Sequence, residues 1–185
     1  MTRSTNDTSP PPIELPHRRD ACAGVAASYV LRRIAFRAGA YAPGIQEHVF
    51  FELSTPRVGG DLASTQDWVR GNLGRLAEQG YRFGARWTSA DASSLAAWVF
   101  AGRGHRGAVV PTTQPLLYPE AIATVGDHHA IGLVVEPRSG ADDLVMIDPW
   151  PEGGRPDRLE APATIDTARR DHKHAALALF WVGWS

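Results

Sequence analysis

Asp127-His128-His129-Ala130-Ile131-Gly132-Leu133-Val134-Val135 is followed after a short gap by Leu144-Val145-Met146-Ile147-Asp148-Pro149-Trp150. The two apolar runs read as β-strands, joined by the turn Pro137-Arg138-Ser139-Gly140-Ala141-Asp142-Asp143. A histidine opens the first strand and a carboxylate closes the second. If the strands pair as an antiparallel hairpin, its open end brings the two together. An aspartate beside a histidine fixes the ring's tautomer and steadies the imidazolium that forms in nucleophilic catalysis. His128 competes with His129 for that role. Successive side chains on a strand point to opposite faces, so only one of the two can meet the carboxylate.

A triad needs a nucleophile, and the chain holds one cysteine, Cys22. Around it, Cys22, Ala26, Val30 and Ile34 recur every four residues, with Val25, Tyr29 and Phe36 widening the stripe. That spacing predicts an amphipathic helix, with Arg32, Arg33 and Arg37 turned away from the buried face. Asp20 is a good N-cap and Gly39 a C-terminal cap. Cys22 then lies in the first turn, where free N–H groups and the helix dipole favour a thiolate. The plainer alternative is that Cys22 is one more small apolar residue on the stripe.

Between these regions the pattern changes repeatedly. Ser64-x-x-Asp67 has the form of a capping box for a helix running to about Gln79, with Gly80 ending it. Tyr81 to Trp87 alternates as a half-buried strand. Ser89 is placed to cap a helix over about Ala90–Ala101, with Leu95, Trp98 and Val99 inward. Gly102-Arg103-Gly104-His105-Arg106-Gly107 matches a dinucleotide fingerprint by letter, but a helix precedes it and the strand Ala108-Val109-Val110 follows. A phosphate loop needs the reverse order, so the segment is a helix-to-strand turn. Residues 41–60 are ambiguous, and 111–126 form a loop rich in Pro and Thr. A short helix is expected near Thr164–Arg170, and Ala176–Trp184 reads as a well-covered final strand.

The chain has 185 residues and a formal net charge of -1 at pH 7. That length suits one domain with a core of its own. Residues 1–16 are polar and proline-rich and read as a flexible tail, leaving 17–185 as a single domain. A balanced charge offers no field for nucleic acid or anionic lipid, so neither is expected as a partner. A single cysteine excludes an intramolecular disulfide. With no leader pattern and no long apolar run, a cytoplasmic protein without a membrane segment is expected. His172 and His174, with His128 and His129, could offer nitrogen to a metal. The first two sit in a charged stretch better read as a solvated turn, so no metal or cofactor is expected. Of the six tryptophans, Trp150 stands apart, because it follows Asp148 by two and borders the site.

Asp20-Ala21-Cys22, then His129-Ala130-Ile131 and Ile147-Asp148-Pro149, in that order and with helices and strands between, resemble the papain-like superfamily of cysteine enzymes. The similarity runs from Asp20 onward and is nearest to stand-alone domains like the bacteriocin-processing peptidases that cleave double-glycine leaders. It implies an α+β fold in which a helix bearing the nucleophile packs on an antiparallel sheet. It also implies a Cys22–His129–Asp148 triad that forms a thioester with a peptide or acyl-thioester substrate. The Cys22 backbone N–H would serve the oxyanion. Those peptidases carry a second oxyanion donor, a Gln, where this chain has Pro16. His17 is the nearest polar substitute, and losing one such donor costs roughly 10²–10³ in rate. Ala21 is an extra residue between acid and cysteine. Hydrolysis by a peptidase or amidase is the first expectation. Acyl transfer or cyclisation on a carrier-bound thioester in natural-product biosynthesis is the alternative, and a non-catalytic binding or effector module on the same fold the second.

Overall fold

In the computed structural model the described residues are 22–40, 62–112, 129–138, 140–149, 155–158, 162–168 and 175–184. The readings placed on residues 1–16, His17, Asp20, Ala21, 41–60, His128, Trp150, His172 and His174 lie outside them. Among the described residues, four helices and six strands follow in the order α1 Cys22–Arg37, α2 Leu62–Glu78, β1 Tyr81–Thr88, α3 Ala92–Ala101, β2 Arg106–Thr112, β3 His129–Arg138, β4 Ala141–Asp148, β5 Arg155–Arg158, α4 Ala163–Ala168 and β6 Ala176–Trp184. The strands form one sheet in the order β1-β6-β2-β3-β4-β5. Every neighbouring pair is antiparallel. The expected mixture of helices with an antiparallel sheet is therefore present.

Helices cover the sheet on both faces, which is why its inner strands read as unbroken apolar runs rather than alternating ones. On one face α1 and α2 pack against Val109, Ala130, Val134, Val145, Ile147, Leu177 and Leu179. On the other, Leu95 and Val99 of α3 and Ile165 of α4 meet Val110, Ile131, Leu133, Val135 and Met146. The final strand lies between β1 and β2, as its apolar character predicts.

α1 ends as its Gly39 foretells. Gly39 takes φ +70°, its N–H donates to the Phe36 carbonyl, and the Ala40 N–H donates to the Ala35 carbonyl at 2.8 Å. This is the double closure of a Schellman motif. The helix differs from expectation in its surroundings. Cys22 through Ala35 are all buried, Arg32 and Arg33 included. Arg33 lies against the sheet instead of facing away: its Nε pairs with Glu136 of β3 at 2.9 Å. It also donates to the Tyr29 hydroxyl and stacks over the Tyr29 ring. A guanidinium so partnered can be buried where an unpaired one could not.

Three local boundaries also differ. α2 starts at Leu62, so Ser64 is inside the helix rather than its cap. α3 is capped by Asp91, not Ser89: the Asp91 carboxylate accepts from the Ser94 N–H at 2.7 Å. A second carboxylate, Asp166 of α4, accepts from the Ala92 N–H at 2.9 Å and ties the two helices together. The central hairpin is tighter than read. Arg138 already pairs with Ala141, so Pro137 and Asp142 belong to the strands. The remaining two-residue turn uses Gly140 at φ +87°, a conformation that glycine adopts freely.

Candidate active site

His129 is the first residue of β3 and Asp148 the last of β4. The register pairs Gly132 with Ile147, so one step further Asp148 faces Ile131. His129 then lies diagonal to Asp148 on the same side of the sheet, within reach of a long side chain. The contact is made: His129 Nε2 and Asp148 Oδ1 are 2.7 Å apart. An ionised carboxylate only accepts, so Nε2 donates its proton and Nδ1 is left for another group. The Cys22 side chain comes near enough to the same ring to favour its protonated form. All three residues proposed for the triad therefore come together. His17 and Trp150 lie outside the described residues.

Helix α1 brings Cys22 to this place. Its first residue carries the thiol, and its axis runs over β2, β3 and β6. Two glycines let it approach closely. A Cβ on Gly132 would stand 2.9 Å from Val30 Cγ2, and one on Gly107 would stand 2.5 Å from Val30 Cγ1 and 2.8 Å from the Leu133 carbonyl oxygen. Alanines 23, 26 and 27 face into the same cluster. The sequence reading missed this function of Gly107 and Gly132. The available signal was a glycine interrupting an otherwise β-branched run.

The site is dry. Cys22 is 9% exposed, His129 1% and Asp148 0%. Burial on its own pushes the His129 pKa down, because a charged ring is poorly solvated there. Hydrogen bonds to Asp148 and Cys22, with the charge of both, act the other way and prevail, raising it from 6.5 to about 9. The ring therefore holds its proton at neutral pH, between a carboxylate and a sulfur. As the first residue of α1, Cys22 also brings an N–H that has no partner within its own helix.

The register also defines which end of the sheet this is. Thr112 pairs with His129, Asp148 with Arg155 and Thr88 with Ala176. The end of β1 and the start of β6 thus lie at the same edge as the histidine. Among the described residues no three His, Cys, Asp or Glu side chains group as a metal ion would need, and no helix is long and apolar enough to cross a membrane. No protein-family model, curated protein or solved structure matches the chain.

Proposed function

We propose that this chain is a papain-like cysteine enzyme that catalyses acyl transfer through a thioester on Cys22, acting first of all as a peptidase or amidase. One observation carries the reading: His129 is bonded through Nε2 to Asp148 and lies close enough to Cys22 for the sulfur to act on the same ring. A nucleophile next to a base, and the base oriented by a third group, is the arrangement that covalent thiol catalysis requires.

In the proposed reaction the Cys22 proton resides on His129 Nδ1, leaving a thiolate beside an imidazolium. The sulfur attacks the acyl carbon, a C–S bond forms, and the carbonyl π electrons move to oxygen. The Cys22 N–H donates to that oxyanion. Collapse expels the amine or thiol leaving group, which takes the proton from Nδ1. Water then gives its proton to Nδ1, attacks the thioester and releases the acid as the C–S bond breaks. An amine or carbon nucleophile in place of water would transfer or cyclise the acyl group, the outcome expected for a carrier-bound thioester. The triad is the same for both, so the product distinguishes them.

The test is the rate of Cys22 alkylation by iodoacetamide against pH, in wild type and His129→Ala. The reading expects rapid reaction well below pH 8 in wild type and loss of that limb in the variant. A thiol that is inert, or that titrates near the free value of ~8.5 in both proteins, would refute it and favour a non-catalytic binding module.

A further inference from the structure

A cavity of about 140 Å³ opens between α3 and strands β1 and β6. The register places it on the face of the sheet away from α1. Ala178, which lines it, pairs with Arg86 on one side and Ala108 on the other, and Ala108 packs in the cluster beneath α3. Leu95, Trp98 and Ala178 give it apolar surface. Its polar groups divide by element. On β1, Arg86 is exposed and has no ion pair among the described residues. Its guanidinium stands over the Trp98 ring, 5.5 Å from the centre, which leaves its N–H donors free at the edge. Thr88 Oγ1 accepts from the Ala90 N–H at 3.3 Å, so its own proton remains to donate. On α3 the roles reverse. Ser94 Oγ gives its one proton to Asp91 at 3.0 Å and so presents only lone pairs. The bonds from the Ser94 N–H and hydroxyl hold the Asp91 carboxyl below its usual range, keeping it an acceptor.

We propose that this cavity is a second binding site, which takes one small aliphatic amino-acid residue by its carboxylate and the N–H on the adjacent carbon. The residue is either a free amino acid or the C-terminal residue of a peptide; the chemistry recognised is the same. The carboxylate accepts paired N–H bonds from the Arg86 fork, the geometry that a guanidinium matches best, and a further bond from the Thr88 hydroxyl. The ligand N–H donates to Ser94 Oγ or the Asp91 carboxylate. The aliphatic side chain lies on Leu95, Trp98 and Ala178. The wider surface favours an anion at the β1 side. Strands β1, β2 and β6 and helix α3 together carry Arg82, Arg86 and Arg106 and no Asp or Glu. Arg106 also stands over Trp98, 5.1 Å from its centre. The volume limits the ligand to a short side chain. Because the cavity lies on the opposite face from α1, the proposal holds whether or not Cys22 is catalytic.

Isothermal titration calorimetry with valine and three derivatives tests this. Valine is the free amino acid, and N-acetylvaline stands in for a peptide C-terminus. N-acetylvalinamide lacks the carboxylate, and isovalerate lacks the nitrogen. Valine, N-acetylvaline or both should bind, and which of them binds identifies the source. N-acetylvalinamide should bind roughly tenfold or more weakly, the loss expected with a charge-assisted hydrogen-bonded pair. Arg86→Gln should weaken the carboxylate ligands to the same degree. Ser94→Ala should weaken valine or N-acetylvaline and leave isovalerate unchanged. Both positions are exposed, so both variants should melt as wild type does. Cys22→Ala should bind as wild type. Failure of both valine and N-acetylvaline to bind at millimolar concentration overturns the proposal. So does equal binding of N-acetylvalinamide, or an affinity that Arg86→Gln leaves unchanged. Binding lost in Cys22→Ala but kept in Arg86→Gln would put the ligand at the thiol and overturn it as well.

Discussion

At His129 two effects oppose each other, and their balance can be measured. Burial favours the neutral ring; the bonds to Asp148 and Cys22 favour the charged one and raise the pKa to about 9. An NMR titration of the imidazole should therefore give a midpoint near that value. In Asp148→Asn the largest favourable influence is gone while burial and Cys22 remain, so the midpoint should fall well below the wild-type value. The linkage has a definite sign. A folded pKa raised above the unfolded one means the folded state binds the proton more tightly. The stability it contributes is complete below about pH 6.5 and is lost as pH rises through about 9. The Tm advantage of wild type over Asp148→Asn should be largest at pH 6 and shrink steadily towards pH 9.5; a pH-independent gap would show that Asp148 does not act through the ring. This pairing was legible in the sequence because both residues sit at the ends of strands that a short turn forces to be antiparallel. Arg33 was not legible. Its partner Glu136 is on a distant strand, and helical periodicity treats every arginine as solvent-facing.

The elements must also fit closely enough to bring Cys22 to the ring. Val30, Ala26, Gly107 and Gly132 mark where α1 touches the sheet backbone. Adding a methyl group at Gly132 drives it against Val30, which is fully buried. Gly132→Ala should then cost about 1–3 kcal/mol, in the range of core overpacking. It should also slow His129-dependent alkylation of Cys22, since α1 carries the thiol away with it. Removing the opposing methyls in Gly132→Ala/Val30→Ala should recover part of both losses relative to the sum of the single changes. Strictly additive effects, read from Tm and alkylation rates of the four proteins, would mean that the two positions are not in contact. The helix itself was readable from its period, and its end from Gly39. Its depth of burial was not, because helical period reports which face is most apolar and not whether a second layer covers the other.

Over the whole molecule, the order of the sheet differs from the order of the chain. β6, the last strand, is inserted between β1 and β2 and is hydrogen-bonded on both sides. An apolar final strand could be recognised as covered, but nothing local to it specifies its neighbours. That choice comes from burial on two faces at once, shared among residues far apart in sequence. The same reasoning explains why Cys22 and His129 could be paired through the chain's single cysteine and through resemblance, and not through spacing. Deleting residues 176–185 tests how far the site depends on this closure. Without β6, β1 and α2 lose their connection to β2, and Leu177 and Leu179 leave the cluster that also holds Cys22. The truncated chain should lose its cooperative thermal transition, and Cys22 should react with iodoacetamide at the same rate whether or not His129 is present. If a cooperative transition and His129-dependent alkylation both persist, α1 packed on β2, β3 and β4 is enough to hold the thiol to the ring.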